Sequence, residues 1–328
     1  MNARKEYAVT VTAREQAELL PFDAETAPLG AREVAGRTLA TLISPGTELA
    51  GCYQGGSFPS VPGYAAVFEV EEVGAEIEDI KPGDRVFCMG PHRSYQRCQR
   101  DALLPVPDAL SPEVAVFCRM MGISMTTLST TAARPPEKVL VTGLGLVGHL
   151  AAKIFASCGY EVTACDPLQP RREIAIRSGI ARVLPAVPLD DPEFASQVGL
   201  VLECSGHEQA ALDGCRVVKK RGEVVLVGTP WRRQTELFAH DLLRAVFHNY
   251  VVLRSGWEWE LPMQATDFRV NSLFGNFASA LQWLAQGRIR VDGLYELAPP
   301  REAQRVYQDL LHHSSSHLTA VFDWTNCP

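Results

Sequence analysis

No apolar run among the 328 residues approaches the roughly 20 needed to span a bilayer, so no membrane partner is expected. The opening stretch "MNARKEYAVTVTARE" likewise lacks the apolar core of a secretory signal. There is no basic stripe either. Lys and Arg number 31 against 38 Asp and Glu, a net charge of −7, and the densest basic runs are "RCQR" and "VVKKRG". Nucleic-acid binding needs clustered cations facing phosphates, so no nucleic-acid partner is expected. The nine cysteines include no CxxC pair and are odd in number, a pattern that suits reduced thiols in a cytoplasm better than a disulfide scaffold. No internal repeat or low-complexity tract is present. What remains is a globular chain long enough for two domains.

Two textures divide it. Residues 1–110 alternate short β-like runs, "YAVTVTA", "REVAGRTLATLI", "AAVFEVEEVG" and "DRVFCMG", with the turn sequences "SPGTE", "VPG" and "KPGD". This part reads as a β-rich, barrel-like module. At Ser111, Pro112 and Glu113 a helix start signal opens "SPEVAVFCRMMGISMTTLSTTA". Strands "KVLVTG", "EVTACD", "ARVLP", "LVLECSG", "GEVVLVGTP" and "NYVVLRSG" then follow, most of them separated by helical stretches. Near-continuous apolar strands of this length fit a parallel sheet covered on both faces, an α/β class. A helix, "NFASALQWLAQG", and a β-α-β ending close the chain.

The strongest chemical signal is "KVLVTGLGLVGHLAAKIFASCGYEVTACDP". Gly143, Leu144, Gly145, Leu146, Val147 and Gly148 form GxGxxG between a strand and a helix, and the next strand ends in Asp166. The first glycine allows a tight turn, the second lets backbone N–H groups approach a pyrophosphate, and the third lets helix and strand pack closely. The helix start adds partial positive charge to that anion site. A carboxylate at Asp166 can accept both ribose hydroxyls and repel a 2′-phosphate, which favours NAD(H) over NADP(H). Arg171 and Arg172 keep NADP(H) open, since a guanidinium just past the acid could reach a phosphate.

With the modules on either side, these residues resemble the medium-chain dehydrogenase/reductase superfamily, whose fold is alcohol-dehydrogenase-like. The resemblance rests on "ISPGTE", "VPGYAAVFEVEEVG", "IKPGDRVF", "VPDALSPEVA", the glycine motif, "VLECSG", "GEVVLVGTP" and the closing "VFDW". It implies a discontinuous GroES-like catalytic domain, 1–115 and 262–328, around a Rossmann domain with a doubly wound parallel sheet, 116–261. A small-molecule substrate would bind in the cleft between them. The resemblance also implies cofactor-facing backbone at Cys204, Ser205 and Gly206, at Gly228 and Thr229, and at Ser255. It further implies a homodimer through edge pairing of "NYVVLRSG". "ISPGTE" with "PGY" is similar locally to the bacteriochlorophyllide hydroxyethyl dehydrogenase branch.

Many members of the superfamily hold a catalytic zinc. At the three matching ligand positions this chain has Pro45, Tyr64 (followed by Ala65) and Met121, and it lacks the four-cysteine lobe of the structural zinc. Zinc takes thiolate, imidazole or carboxylate, so a zinc-independent member with no metal is expected. Cys88, His92 and Cys98 lie close in sequence, but a metal site there would need a fourth ligand.

Without zinc, hydrogen-bond donors must steady the substrate oxygen. Tyr64 would bring a phenol to the vacated ligand position, or else pack at a strand start. Thr47 and Glu48 match the family's hydroxyl and acidic residues, or else serve turn chemistry. The loop "GPHRSY" offers His92 and Tyr95, His92 as an acid–base group or as a solvated loop histidine. His149 reads as packing between the domains. "WEWELP" places two tryptophans and two carboxylates where a polar substrate or a subunit could meet them. The expected activity is oxidoreduction between a secondary alcohol and its ketone or aldehyde, on a sugar-like, aminocyclitol or other natural-product intermediate. Reduction of an activated C=C bond and dinucleotide binding without catalysis are the alternatives.

Overall fold

The first 110 residues form seven strands: β1 Glu6–Ala13, β2 Gln16–Phe22, β3 Glu33–Leu42, β4 Ala66–Val73, β5 Arg85–Cys88, β6 Tyr95–Gln99 and β7 Leu104–Pro105. β1 and β2 form an antiparallel hairpin turned at Glu15, whose φ is +59°. β3 pairs antiparallel with both β4 and β6, β4 with β5, and β5 with β7. Ala66, Phe68 and Val70 of β4 point into one core with Val34, Val86, Cys88 and Leu103. "KPGD" turns between β4 and β5, with Asp84 N–H donating to the Lys81 carbonyl at 3.1 Å and Gly83 at φ +91°. β2, β6 and β7 had no counterpart among the expected strands; each is short, polar-edged or interrupted by proline.

This is a computed structural model describing residues 5–22 and 27–327. It divides into two compact units, Met1–Arg119 with Ala280–Pro328, and Met120–Ser279. Residues 262–279 therefore group with the second unit. The helix expected after Ser111 is split into Pro112–Ala115 and α1 Cys118–Thr130. Between them the chain tightens to i→i+3 bonds, Phe117 N–H to the Val114 carbonyl and Arg119 N–H to the Val116 carbonyl.

The second unit alternates β8 Lys138–Thr142, α2 Leu146–Ser157, β9 Glu161–Cys165, α3 Gln169–Arg177, β10 Val183–Leu184, β11 Val198–Glu203, α4 Glu208–Val217, β12 Val218–Leu226, α5 Ala239–Asn249 and β13 Val252–Ser255. The six strands are parallel, in the order β10-β9-β8-β11-β12-β13. Every residue of β11 is buried, as a central strand covered on both faces requires. The chain winds outward from β8 in one direction, then restarts at β11 in the other. The gap between the C-terminal ends of β8 and β11 is thus the switch point of a doubly wound sheet.

α6 Leu273–Ala285 leads back to the first unit, where β14 Tyr295–Ala298, α7 Ala303–Leu311 and β15 Thr319–Asp323 finish the chain. β15 pairs antiparallel with β3, bringing Val321 opposite Leu42. Phe322, Trp324, Tyr307, Tyr53 and Ile43 close a second core there. Among the described residues, no helix is long and apolar enough to cross a membrane.

Candidate functional site

The switch point of the second unit is built by the three glycines. Gly143 has φ +85°, and a Cβ there would lie 2.8 Å from Ser205, so the loops after β8 and β11 touch. Gly148 sits against the strand end; its Cβ would fall 1.8 Å from the Gly143 carbonyl oxygen. A Cβ on Gly145, by contrast, would meet nothing within 4 Å. That residue caps α2, and the first bond of the helix is His149 N–H to the Gly145 carbonyl at 2.9 Å. The N–H groups of Leu146, Val147 and Gly148 therefore precede any intrahelical acceptor. Open space over Gly145 with N–H groups beside it fits a pyrophosphate.

Asp166 is buried at the end of β9, its Oδ2 accepting from Leu144 N–H and its Oδ1 from Leu168 N–H, both at 2.8 Å. Each oxygen keeps a second lone pair for a ribose hydroxyl. Arg171 approaches Asp166 Oδ2 at 3.5 Å, whereas Arg172 donates to the carbonyls of Asp166 and Pro167. Leu144, Gly145, Leu146, Val147 and Asp166 thus share one rim with Arg171. The Cys204–Ser205–Gly206 loop borders the same gap, and a Cβ on Gly228 would lie 2.4 Å from Gly206 N, so the loop after β12 abuts it. Thr229 is exposed beyond that contact. Ser255 lies at the far sheet edge in β13, where its hydroxyl accepts from Trp257 N–H at 3.1 Å.

Glu203 escaped the sequence reading. Its buried carboxylate accepts from Ser205 N–H at 2.7 Å, Gly206 N–H at 3.0 Å and the Ser205 hydroxyl, and burial pushes its pKa up. It holds the 204–206 loop in shape from below, and an acid at the end of an all-apolar strand was the available signal. His149 is corrected in location. It packs inside the second unit against Ser178, at 2.7 Å from Nε2 to Oγ, rather than between domains. Because the Ser178 hydroxyl donates to the Ala175 carbonyl, His149 Nε2 carries the proton, and its Nδ1 is buried without a partner. Burial, with Lys153 adding to it, lowers its pKa to about 3.

The first unit brings together Tyr64, Thr47, Glu48 and His92. "SPGTE" is a helical turn rather than a loop: Pro45–Thr47 runs into a wider turn, Glu48–Tyr53. Proline at the first helical position suits that start. Glu48, 1% exposed, accepts from Ser44 N–H at 2.8 Å, from the Tyr307 hydroxyl at 2.6 Å and from His92 Nε2 at 2.9 Å. His92 is wholly buried, not a solvated loop residue. Its Nδ1 faces Thr41 Oγ1 at 2.7 Å, and that oxygen accepts from the Trp324 indole N–H at 2.9 Å. Trp324 can only donate and the Glu48 carboxylate can only accept. Trp324, Thr41, His92 and Glu48 thus form one continuous buried hydrogen-bond chain.

Tyr64 stands beside this network. The side chains of Ser44 and Thr47 hydrogen-bond its phenol, and the Arg119 guanidinium lies 4.7 Å from its ring centroid. Burial pushes the phenol's pKa up; Ser44, Thr47 and Arg119 each pull against that, and Glu48 adds to it. Arg119 is 3% exposed and was not anticipated, because "CRMMG" reads as a core helix segment. Tyr95 opens β6 opposite Arg37 of β3. Its neighbour Gln96 turns inward to Thr38 and the Pro91 carbonyl, so strand alternation aims Tyr95 at the other face.

None of the three positions matched to zinc ligands carries a thiolate, imidazole or carboxylate. Pro45 begins the helical turn, Tyr64 offers a phenol pushed up by burial, and Met121 is a buried thioether on α1. Among the described residues, no group of three or more His, Cys, Asp or Glu is placed to hold a metal. The cluster of Cys88, His92 and Cys98 is broken up by the turn of the His92 ring toward Glu48 and Thr41.

Residues 147–259 match the family described as zinc-binding dehydrogenase. An alcohol dehydrogenase of Geobacillus stearothermophilus is 28% identical over 210 residues, 52% of this chain and 62% of that protein. The chain thus spans about three fifths of the length of this curated relative. Among solved structures, galactitol-1-phosphate dehydrogenase from Escherichia coli superposes with a TM-score of 0.81 at 15% identity, over 97% of this chain and 99% of its own. Acetophenone reductase from Geotrichum candidum, in complex with NAD, gives 0.79 at 15% identity and 98% of each chain. The fold is shared along nearly the whole length. The likeness to these structures is one of fold.

Proposed function

We propose that the chain is an oxidoreductase that uses a nicotinamide dinucleotide, prefers NAD(H), works without zinc, and interconverts a secondary alcohol and its ketone. The observation that carries this reading is the opening over Gly145, flanked by helix-start N–H groups and the Asp166 carboxylate. NAD(H) is preferred because Asp166 retains acceptors for two ribose hydroxyls and repels a 2′-phosphate, while Arg172 is spent on main-chain carbonyls. When bound, the nicotinamide gives or takes the hydride.

The remaining work is one proton and one developing charge. Tyr64 stays protonated at neutral pH because burial raises its pKa, so it can donate to the oxygen of a ketone. As the phenol proton leaves, the hydroxyls of Ser44 and Thr47 and the nearby Arg119 cation disperse the charge left on it. Thr47, half-buried, offers the route by which the proton returns. Glu48 and His92 act from behind, holding the 44–48 turn at a fixed distance from the phenol.

A polar, sugar-like, aminocyclitol or similar natural-product substrate belongs to the same proposal. It is supported by the exposed Trp257, Trp259 and Glu260; Glu258 is buried. A homodimer through β13 is supported by its place at the sheet edge and by the exposed Leu243, Phe247, Tyr250 and Val252 beside it. Residence in the cytoplasm is supported by nine cysteines, odd in number and without a CxxC pair.

The test is NADH oxidation by the purified protein against a panel of ketosugars, simple ketones, enones and a tetrapyrrole ketone, with product analysis. Alcohol products are expected, and saturated ketones from enones would refute the carbonyl assignment. Tyr64→Phe should lower turnover at least tenfold, since loss of one such donor typically costs on the order of 10²–10³. Its NADH affinity should be nearly unchanged. Full turnover in that variant removes Tyr64 from the mechanism.

A further inference from the structure

The second unit carries a cavity that the phosphate cradle does not use. It holds about 360 Å³ and lies at the opposite end of β9 from Asp166, between the start of that strand, the later turns of α2 and the segment that follows α3. That volume falls at the small end of the range for small-molecule sites. Ala156, on its α2 wall, stands roughly 16 Å along the helix from Gly145, so cavity and cradle occupy different ends of one helix. The inner lining is buried and mostly apolar: Ala152, Ile180 and Phe194, with Thr163 beside them. Ala152 and Ala156, four residues apart on one face of α2, are small enough to leave the space open.

Two features of the lining say what would fit. The first is an open strand edge. Glu161 N–H donates to the Glu137 carbonyl at 3.2 Å on the β8 side, and Ala164 N–H donates to the Arg182 carbonyl at 3.0 Å on the other side. Alternation along the strand therefore turns the N–H and C=O of Val162 to the same side as those of Ala164, whereas β10 begins its pairing only opposite Ala164 itself. Val162 lines the cavity, and its main-chain donor and acceptor are offered to what lies there. The second feature is charge. Arg182, whose guanidinium carbon is 4.4 Å from the centre of the Phe194 ring, grips Glu193 at 2.5 and 3.0 Å, and these two charges cancel. Lys138 lies 3.6 Å from the same acid. Lys138 and Lys153 are then set against Glu161 alone, which leaves the lining with an excess of positive charge.

We propose that this cavity is a second ligand site, which takes a small flat aromatic molecule bearing one acidic group and a polar ring edge. The ring is held by the apolar floor, the acid by Lys153, and the polar edge by the Val162 main chain. The site is separate from the opening over Gly145, so its occupant does not compete with a dinucleotide.

The experiment is calorimetric titration of the full chain with 6-hydroxy-2-naphthoate, first without NADH, so that its outcome is independent of the oxidoreductase reading. Saturable one-to-one binding is expected, with Kd on the order of 1 mM or tighter for a probe of this size. The uncharged methyl ester should bind at least tenfold more weakly. Ala156→Trp fills the cavity from an exposed helix position and should weaken the acid at least tenfold; if its melting curve shows a misfolded protein, Ala181→Trp fills the cavity from the segment after α3. Lys153→Glu should weaken the acid at least tenfold and spare the ester, whereas Arg177→Glu, an exposed charge reversal outside the lining, should change neither. Addition of saturating NADH should leave the affinity for the acid unchanged. No saturable binding up to about 10 mM overturns the proposal. So does full affinity in the cavity-filling variant, equal affinity for acid and ester, equal losses in Lys153→Glu and Arg177→Glu, or displacement of the probe by NADH.

Discussion

Replacing two glycines of one loop by alanine should have opposite consequences. Gly145 has φ −65° and ψ −177°, a conformation alanine adopts freely, and its Cβ would meet nothing within 4 Å. Restricting the unfolded chain stabilises by roughly 0.4–1 kcal/mol. Alanine is the poorer N-cap by up to about 1 kcal/mol. These terms nearly cancel, so Gly145→Ala should melt within about 4 °C of wild type. Its methyl fills the space a pyrophosphate would use, and NADH should bind at least tenfold more weakly, about 1.4 kcal/mol. Gly148→Ala instead drives a Cβ to 1.8 Å from a main-chain oxygen that cannot swing aside. A cost of roughly 3 kcal/mol or more follows, or about 6 °C or more in melting temperature. Thermal melts and calorimetric titration with NADH read both quantities. A well-folded Gly145→Ala that binds NADH with unchanged Kd would refute the placement of the phosphate path. A Gly148→Ala that melts like wild type would refute the packing argument.

Asp166→Asn keeps an acceptor for one backbone N–H but removes the charge, so the NADPH-to-NADH affinity ratio should rise at least tenfold, about 1.4 kcal/mol, in parallel titrations. An unchanged ratio would mean that Arg171 alone sets the preference. His149 titrates near 3 in the folded state against about 6.5 unfolded, so its contribution is complete above pH 6.5 and drains as pH falls toward 3. Between pH 6.5 and 5 the loss is about 2 kcal/mol, and His149→Gln should lose about that much less stability over the same interval in urea titrations. Equal losses in both proteins would show that His149 does not drive this pH dependence. Tyr307→Phe deletes one donor to the buried Glu48 and should cost about 1.5–3 kcal/mol by urea unfolding, a figure that Glu48 rehydration would shrink to nothing.

How far the site was legible depended on whether its signal was local. The cradle was legible because strand, glycine loop, helix and acid follow one another along the chain, and each glycine has a distinct steric duty that neighbours in sequence impose. The apolar strands of the second unit were legible for the same reason: a run such as "LVLECSG" allows little but a central strand. β6 was missed because its alternation, "YQRCQ", is polar on both sides, and only the pairing with β3 makes a strand of it. Arg119 was missed because an arginine inside "FCRMMG" declares itself only once Tyr64, far away in sequence, stacks on it.

By itself, then, the order of residues determined a doubly wound sheet, the glycine turn at its switch point, and the poor match of Pro45, Tyr64 and Met121 to zinc. Those follow from backbone sterics and donor chemistry, which act within a few residues. Only the tertiary structure decided that His92 is buried against Glu48 and that His149 leans on Ser178. Each of these rests on hydrogen bonds and packing between segments remote in sequence, and hydrogen-bond partners of that kind leave no period or spacing in the chain for a reader to find.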